Sequence, residues 1–372
     1  LKDRLYINNG NGSFNFSNSS LPDNFSSGMR VTSSDYDKDG DMDLFVGGRV
    51  VPGSYPLPAD SFLLENISDS SEIKFRNADE SIFSFKEIGL VTSSVWTDYN
   101  NDGWTDLIVV GEWTPIKFYK NNEGRFSEDT SLIDEDSTRG WWYDIVAEDF
   151  DKDGDIDLVI GNLGNNYKYQ TSADETFDIF YNDFDKNNSG DIVLSYFNDG
   201  EQYPLRGRQC SSDQIPAIKT KFQDYDAFSI ATLEDVYGES DLDNSLHYFT
   251  KTFSSVYLEN TGNSFKMSNL PTLTQLSSIN KILKKDIDKD GFMDIVVSGN
   301  MYNSEVETPR NDGSVGVYLK YTPDLGFEAV STQKSGLFIN GDVKDMEFIT
   351  LNNTDYIISA KNDDLIEFTK IK

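Results

Sequence analysis

The chain has 372 residues, a formal net charge of −32 and a sequence pI near 4.2. This acidity disfavours nucleic acid and anionic lipid as partners, because no basic stripe offsets repulsion from phosphate. One histidine and one cysteine cannot build a nitrogen/sulfur metal cage or an internal disulfide framework, and no apolar run reaches the roughly 18 residues of a membrane-inserted helix.

The first element in chain order is the apolar strand Leu5-Tyr6-Ile7-Asn8, which leads to Phe14-Asn15-Phe16. It reads as the outer pair of a repeat unit in a segment of a longer chain, with any export signal lying upstream. An acidic loop follows, with Asp35, Asp37, Asp39, Gly40, Asp41 and Asp43, and runs into the apolar strand Leu44-Phe45-Val46. The same order recurs four times. Asp98, Asn100, Asp102, Gly103, Trp104 and Asp106 precede Leu107-Ile108-Val109. Asp149, Asp151, Asp153, Gly154, Asp155 and Asp157 precede Leu158-Val159-Ile160. Asp183, Asp185, Asn187, Asn188, Ser189 and Asp191 form the most divergent copy, and Asp286, Asp288, Asp290, Gly291, Phe292 and Asp294 precede Ile295-Val296-Val297. Between residues 198 and 246 a helical insertion interrupts this pattern, and two short helices are predicted there, with Asp226 as N-cap and Gly238 as C-cap. A last unit, Val343–Ile371, keeps the strands and lacks the loop.

Each loop has oxygen-bearing side chains at positions 1, 3, 5 and 9. Alternate side chains of a tight loop converge, and calcium takes six to eight oxygens in irregular geometry. Position 7 would add a backbone carbonyl, from Asp41, Trp104, Asp155, Ser189 and Phe292 in turn. The glycine at position 6 permits the positive φ of a sharp turn. An EF-hand is excluded, since position 12 is an apolar strand residue where that motif carries glutamate. Magnesium fits less well, because it retains waters in an octahedral shell. The bland alternative is that Asp, Asn and Gly merely make turns, but five copies in register argue for about five structural Ca2+ ions. The loops hold 20 of the 64 acidic residues, and five calcium ions would bring the net charge to about −22.

The loops and their flanking strands resemble the FG-GAP or VCBS repeats of the integrin α-subunit propeller. Stretches such as Asp3-Arg4-Leu5-Tyr6-Ile7-Asn8, Val110-Gly111-Glu112-Trp113-Thr114-Pro115, Gly140-Trp141-Trp142 and Gly161-Asn162-Leu163-Gly164 are closer to bacterial VCBS-repeat proteins related to cartilage acidic protein. The resemblance implies an all-β fold: one β-propeller domain over residues 1–372, of four-stranded antiparallel blades, seven favoured and six possible, with calcium loops joining the two inner strands. Six inner hairpins are expected here.

The same resemblance places a ligand-facing rim opposite the loops. Arg49, Trp113, Arg139, Trp141, Trp142, Asn162, Asn300 and Tyr302 fall there, and clustered Trp, Tyr and Arg suit a recognition surface. The alternative is that Trp96, Trp104, Trp113, Trp141 and Trp142 fill gaps between blades. The expected function is an extracellular or cell-surface adhesion or recognition module for a protein or glycan, with bacterial outer-membrane proteins as further partners. The alternatives are a carbohydrate-active enzyme on the same scaffold and a subunit of an outer-membrane nutrient-uptake assembly. No catalytic residue stands out: His247 has no nucleophile elbow to serve, and no carboxylate pair is singled out.

Overall fold

The structure, a computed structural model, describes residues 2–304 and 308–371. It is an all-β fold of antiparallel sheets, named here in chain order. Sheet A comprises Gly28–Ser34, Asp43–Gly48, Phe62–Asn66 and Phe75–Asn77. Sheet B comprises Leu90–Thr97, Asp106–Thr114, Lys117–Asn122 and Arg125–Glu128, with Gly140–Trp141 paired to the far end of its second strand. Sheet C comprises Asp144–Glu148, Asp157–Gly161, Val256–Asn260 and Phe265–Asn269. Sheet E comprises Ile279–Lys285, Asp294–Gly299, Val317–Thr322 and Gly326–Val330. Sheet F has three strands, Val343–Leu351, Thr354–Lys361 and Glu367–Lys370. The N-terminal hairpin Leu5–Asn8 and Phe14–Ser17 stands as a separate two-stranded sheet.

Sheets A, B, C, E and F pack in series, the first strand of each against the first strand of the next. This explains why the second strands of sheets B, C and E are apolar without alternation: each is covered on both sides. In Asp106–Thr114, Leu107 and Val109 join a core with Phe45 and Leu63 of sheet A. Ile108 and Val110 join Leu158 and Ile160 of sheet C. Val159 faces the other way, into a core with Ile295 and Val297 of sheet E. Val296 in turn packs with Val343 and Ile357 of sheet F. The third strands of sheets C and E alternate instead, as in Val317–Thr322, where Val317, Leu319 and Tyr321 are buried between half-buried neighbours. Buried Asp144 ties four first strands together: it accepts hydrogen bonds from Arg30 Nη2 at 2.6 Å, Ser93 Oγ at 2.9 Å and the Ile282 N–H at 3.0 Å.

Sheet D lies between the second and third strands of sheet C in sequence. Its strand order is Glu201–Pro204, Asp191–Asn198, Phe177–Asn182, Leu246–Thr250. The Asp183–Asp191 loop therefore belongs to this insert, and five hairpins, where six were expected, form the series. Leu158–Ile160 pair with Val256–Leu258, so sheet C is completed only after the insert. Within residues 198–246 the expected helices are five short ones, Arg208–Gln214, Ala217–Lys221, Tyr225–Ser229, Leu233–Tyr237 and Glu239–Asp243, and a further one-turn helix, Thr332–Ser335, precedes sheet F. The N-cap is Asp224, which accepts from the Ala227 N–H at 2.8 Å, and not Asp226. A reciprocal Thr232–Asp235 capping box starts a new helix where a continuous one was predicted. Gly238, at φ 86°, ends that helix as expected. In sheet F, Asn352 and Asn353, both at positive φ, make a two-residue turn in place of an acidic loop.

Candidate metal centres

The acidic loops of sheets A, B, C and E join first and second strands, and all five loops share one hydrogen-bond plan. The position 1 carboxylate accepts from the position 6 N–H, as from Gly40 to Asp35 at 3.2 Å and from Gly103 to Asp98 at 2.7 Å. The same bond reaches Asp149 from Gly154, Asp183 from Asn188 and Asp286 from Gly291. Position 3 accepts from the position 5 N–H, and position 5 from the position 7 N–H. These bonds run from Asp39 to Asp37, from Asp102 to Asn100, from Asp153 to Asp151, from Asn187 to Asp185 and from Asp290 to Asp288. They run equally from Asp41 to Asp39, Trp104 to Asp102, Asp155 to Asp153, Ser189 to Asn187 and Phe292 to Asp290. Position 4 adopts the left-handed conformation in every copy, at Lys38, Asn101, Lys152, Lys186 and Lys289. Asn188 is left-handed at position 6 of the divergent copy, so asparagine serves there as glycine does elsewhere.

This plan gathers carboxylates. One oxygen each from Asp35, Asp37 and Asp39 lies within 4.8 Å of the others, and so for Asp149, Asp151 and Asp153, for Asp286, Asp288 and Asp290, and for Asp183, Asp185 and Asp191. Three position 1 oxygens, Asp35 Oδ1, Asp149 Oδ1 and Asp286 Oδ1, are closed off from solvent without a hydrogen-bond partner. Asp41 Oδ1 and Asp43 Oδ2 are in the same state, and Asp43 as a residue is 1% exposed. Buried anionic oxygens without partners are costly. A hard cation with oxygen ligands would relieve that cost, so these residues fit calcium. In the other two loops position 1 is better satisfied. Asp98 accepts from Asp102 and Gly103, and Asp183 from Asn187 and Asn188.

Position 9 has a second duty. Asp43, Asp106, Asp157, Asp191 and Asp294 open their strands and are buried. In the series sheets one oxygen accepts from a third-strand N–H: Asn66 at 2.8 Å, Asn121 at 2.7 Å, Asn260 at 2.8 Å and Tyr321 at 3.2 Å. The second oxygen of Asp157 and of Asp294 is bonded to Tyr257 and Tyr318 hydroxyls. Burial pushes the Asp43 and Asp106 carboxyls up to about 7 and Asp157 up to about 6. It also raises Asp191 and Asp294.

Neighbouring loops touch through positions 4 and 7. Lys38 Nζ lies 4.0 Å over the Trp104 ring, Asn101 Nδ2 donates to Asp155 Oδ1 at 2.7 Å, and Lys152 Nζ lies 4.5 Å over Phe292. Loops A, B, C and E thus lie side by side. Sequence reasoning missed this relay. Its signal is an aromatic at position 7 one repeat after a lysine at position 4. Buried Asn121 reinforces it by donating to Tyr36 O at 2.7 Å and Thr105 O at 2.9 Å, and Asn260 donates to Tyr99 O at 2.9 Å and Ile156 O at 3.1 Å.

The expected ligand rim is largely covered. Trp113, Trp141 and Trp142 are 1%, 8% and 0% exposed. Sheet D docks on the first two: Phe177 stacks on Trp113 at 5.7 Å, and Phe177, Ile179, Tyr169 and Phe253 share one core with Trp113 and Trp141. Trp142 sits in the core between sheets B and C and donates its Nε1–H to Thr138 O at 2.9 Å. Asn162 and Asn300 are buried and spend their amides on backbone, Asn162 on Thr252 O and Ser254 O, Asn300 on Ser314 O and Gly341 O. These five residues are packing groups: the insert covers Trp113, Trp141 and Asn162, while Trp142 and Asn300 are buried by the series sheets and their connections. Arg49 is half-buried against Glu112 at 2.5 Å, which also accepts from Tyr55 OH. Arg139 pairs with Asp136 and lies over Phe249, and half-buried Tyr302 lies under Arg310. His247 bonds Asp178 at 2.8 Å and stacks on Phe180 at 4.2 Å.

Fold and loops together define a repeat protein whose unit is an antiparallel sheet with an acidic loop between its first two strands. A family model described as an FG-GAP-like repeat matches residues 2–46 and 98–160, which contain the loops of sheets A, B and C, and supports an FG-GAP-repeat family. No curated protein matches the sequence. Among solved structures, the crystal structure of the V. cholerae biofilm matrix protein Bap1 aligns with TM-score 0.31 and 10% identity, covering 94% of this chain and 68% of that one. The crystal structure of BBS1N in complex with ARL6DN, soaked with lead, aligns with TM-score 0.25 and 9% identity, covering 95% and 94%.

Proposed function

We propose that this chain is a calcium-stabilised β-propeller that serves as a recognition or adhesion module outside the cell or at its surface, with a protein or glycan as partner. Sheets A, B, C, E and F are its consecutive blades, and the N-terminal hairpin is the outer pair of a further one. The observation that carries the calcium reading is the set of buried, unpartnered carboxylate oxygens at Asp35, Asp43, Asp149 and Asp286. Calcium would sit between positions 1, 3 and 5 of these loops and offset the repulsion of three converging carboxylates. Its role is structural, since the loops fasten first to second strands and touch one another. The FG-GAP-like repeat match and the integrin-like resemblance support a binding role. With the tryptophans covered, Arg49, Arg139 and Tyr302 remain the accessible candidates on the side away from the loops.

The test is calcium titration of chelator-stripped protein by isothermal calorimetry, paired with thermal melts. Uptake of several calcium ions with a melting temperature raised by many degrees is expected. No heat of binding and an unchanged melt in excess EGTA would overturn the calcium reading. A protein and glycan array probed with and without calcium addresses the partner: calcium-dependent capture of a specific ligand is expected, and an array blank under both conditions counts against the recognition role.

A further inference from the structure

The third strands meet the loops at one fixed register. The N–H donors to position 9 are Asn66, Asn121, Asn260 and Tyr321. The residue before each is Glu65, Lys120, Glu259 and Lys320. Two equivalent positions are thus anionic and two cationic. Glu65 is held by Arg76 at 2.5 Å and Glu259 by Lys266 at 3.0 Å. The lysines turn to the loops instead. Lys320 Nζ lies 2.9 Å from Asp290 Oδ2 and also bonds Asp288, two of the three carboxylates that converge in the sheet E loop. Asp286 Oδ1, the third corner, stays buried and unpartnered. Lys120 Nζ lies 3.2 Å from Asp102 Oδ2 in the sheet B loop.

We propose that Lys320 is a tethered counter-ion which competes with divalent cation for Asp288 and Asp290 and makes the sheet E loop a weak, readily emptied site beside the tighter loops of sheets A and C. The inference rests on the calcium reading above. An ammonium on a flexible stem satisfies two carboxylates when no metal is present. When a dication enters, the same ammonium is repelled at a few ångströms and must swing out. Two charges against one at that range, in high dielectric, weaken binding by roughly ten- to thirtyfold. Lys120 is placed to act likewise in sheet B, where only Asp98, Asp102 and Asp106 carry charge.

Calcium titration of stripped wild type, Lys320→Met, Lys320→Arg and Glu65→Lys tests this. Lys320→Met should move one ion from the weak to the tight class, by about tenfold or more, and should lower the melting temperature in EGTA, because Asp288 and Asp290 then repel unscreened. Lys320→Arg should keep the wild-type isotherm. Glu65→Lys, on the third strand beside the sheet A loop, should weaken one tight site and supplies the answer if the sheet E variants fail to fold. Identical site classes in wild type, Lys320→Met and Glu65→Lys, with calcium bound by all, would overturn the counter-ion role alone. Calcium uptake by none of them would overturn the calcium reading and this inference with it.

Discussion

Asn121 offers the sharpest test of how the loops are joined. Its side chain is fully buried and makes three hydrogen bonds: donations to Tyr36 O at 2.7 Å and Thr105 O at 2.9 Å, and acceptance from the Gly124 N–H at 2.8 Å. Tyr36 belongs to the sheet A loop and Thr105 to the sheet B loop, so one amide bridges two repeats. Asn121→Ala leaves two carbonyls and one N–H without partners. Each buried group left unsatisfied costs about 1–3 kcal/mol, and partial relaxation or an entering water recovers some of that. The expected loss is therefore about 3–5 kcal/mol of unfolding free energy, large against the roughly 5–15 kcal/mol typical of native proteins. Asn121→Asp keeps the volume and the acceptor but sets an anion against two carbonyls and Asp106. At pH 8 it should be at least as damaging as alanine. Urea denaturation followed by tryptophan emission, in EGTA and in excess calcium, measures both. A loss below about 1 kcal/mol for Asn121→Ala, or a well-tolerated Asn121→Asp, would show that the bridge does not hold the loops together.

Four further outcomes follow from the structure. With calcium removed, Asp106 has a folded pKa of about 7 against an ordinary value of 3.8, and Asp43 is also near 7. The stability these groups supply is fully present below pH about 4 and is lost as pH rises to about 7. The EGTA melt should thus fall across that window, calcium should flatten it, and Asp106→Asn should raise the EGTA melt at pH 8 while weakening calcium binding. A melt independent of pH in both proteins would contradict this. Trp113→Ala empties a core site stacked on Phe177 and should cost about 3–5 kcal/mol in denaturant. In the intact protein, the neutral quencher acrylamide should quench the partly exposed Trp96 and Trp104 more strongly than the buried Trp113, Trp141 and Trp142. Asp144→Ala strands Arg30 and the Ile282 N–H and should destabilise by about 3 kcal/mol. A near-neutral value in denaturant would remove Asp144 as the tie among first strands.

The series sheets were legible because their two signals are local. An apolar run such as Leu107-Ile108-Val109-Val110 is buried on both sides, and the nine-residue loop before it carries its own turn chemistry. The converging oxygens at positions 1, 3 and 5 could be placed on the same ground. Position 9 was harder. Nothing local shows that Asp157 and Asp294 are bound by tyrosine hydroxyls from a neighbouring strand. The Asp183–Asp191 loop matches the motif well enough to look like one more member of the series, yet the pairing of Val159 with Tyr257 excludes its sheet from the row. The tryptophans misled for the same reason. Trp113 and Trp141 lie on the side away from the loops, where a recognition surface was expected, and only the docking of Phe177 and Ile179 turns that side into core. Long-range placement of an insert leaves no periodic trace in the residues it covers.

The interruption of sheet C also bears on how the molecule assembles during synthesis. Sheet A and the four consecutive strands of sheet B are made of contiguous sequence and can form once Glu128 has emerged. Sheet C cannot, because residues 162–255 separate its second strand from its third. In that interval Asp157–Gly161 has one open edge, and an exposed apolar edge invites pairing with another chain. Sheet D shortens the hazard. Its four strands lie within residues 177–250, so it can fold on its own strands. Seating Phe177 against Trp113 then delivers Val256 to the edge of Leu158–Ile160, since only Lys251–Ser255 lie between the last strand of sheet D and the third strand of sheet C. The insert works as a guide that returns the nascent chain to the sheet it interrupted, and a deletion that removes it would leave the second strand of sheet C waiting for a partner with nothing to bring it back.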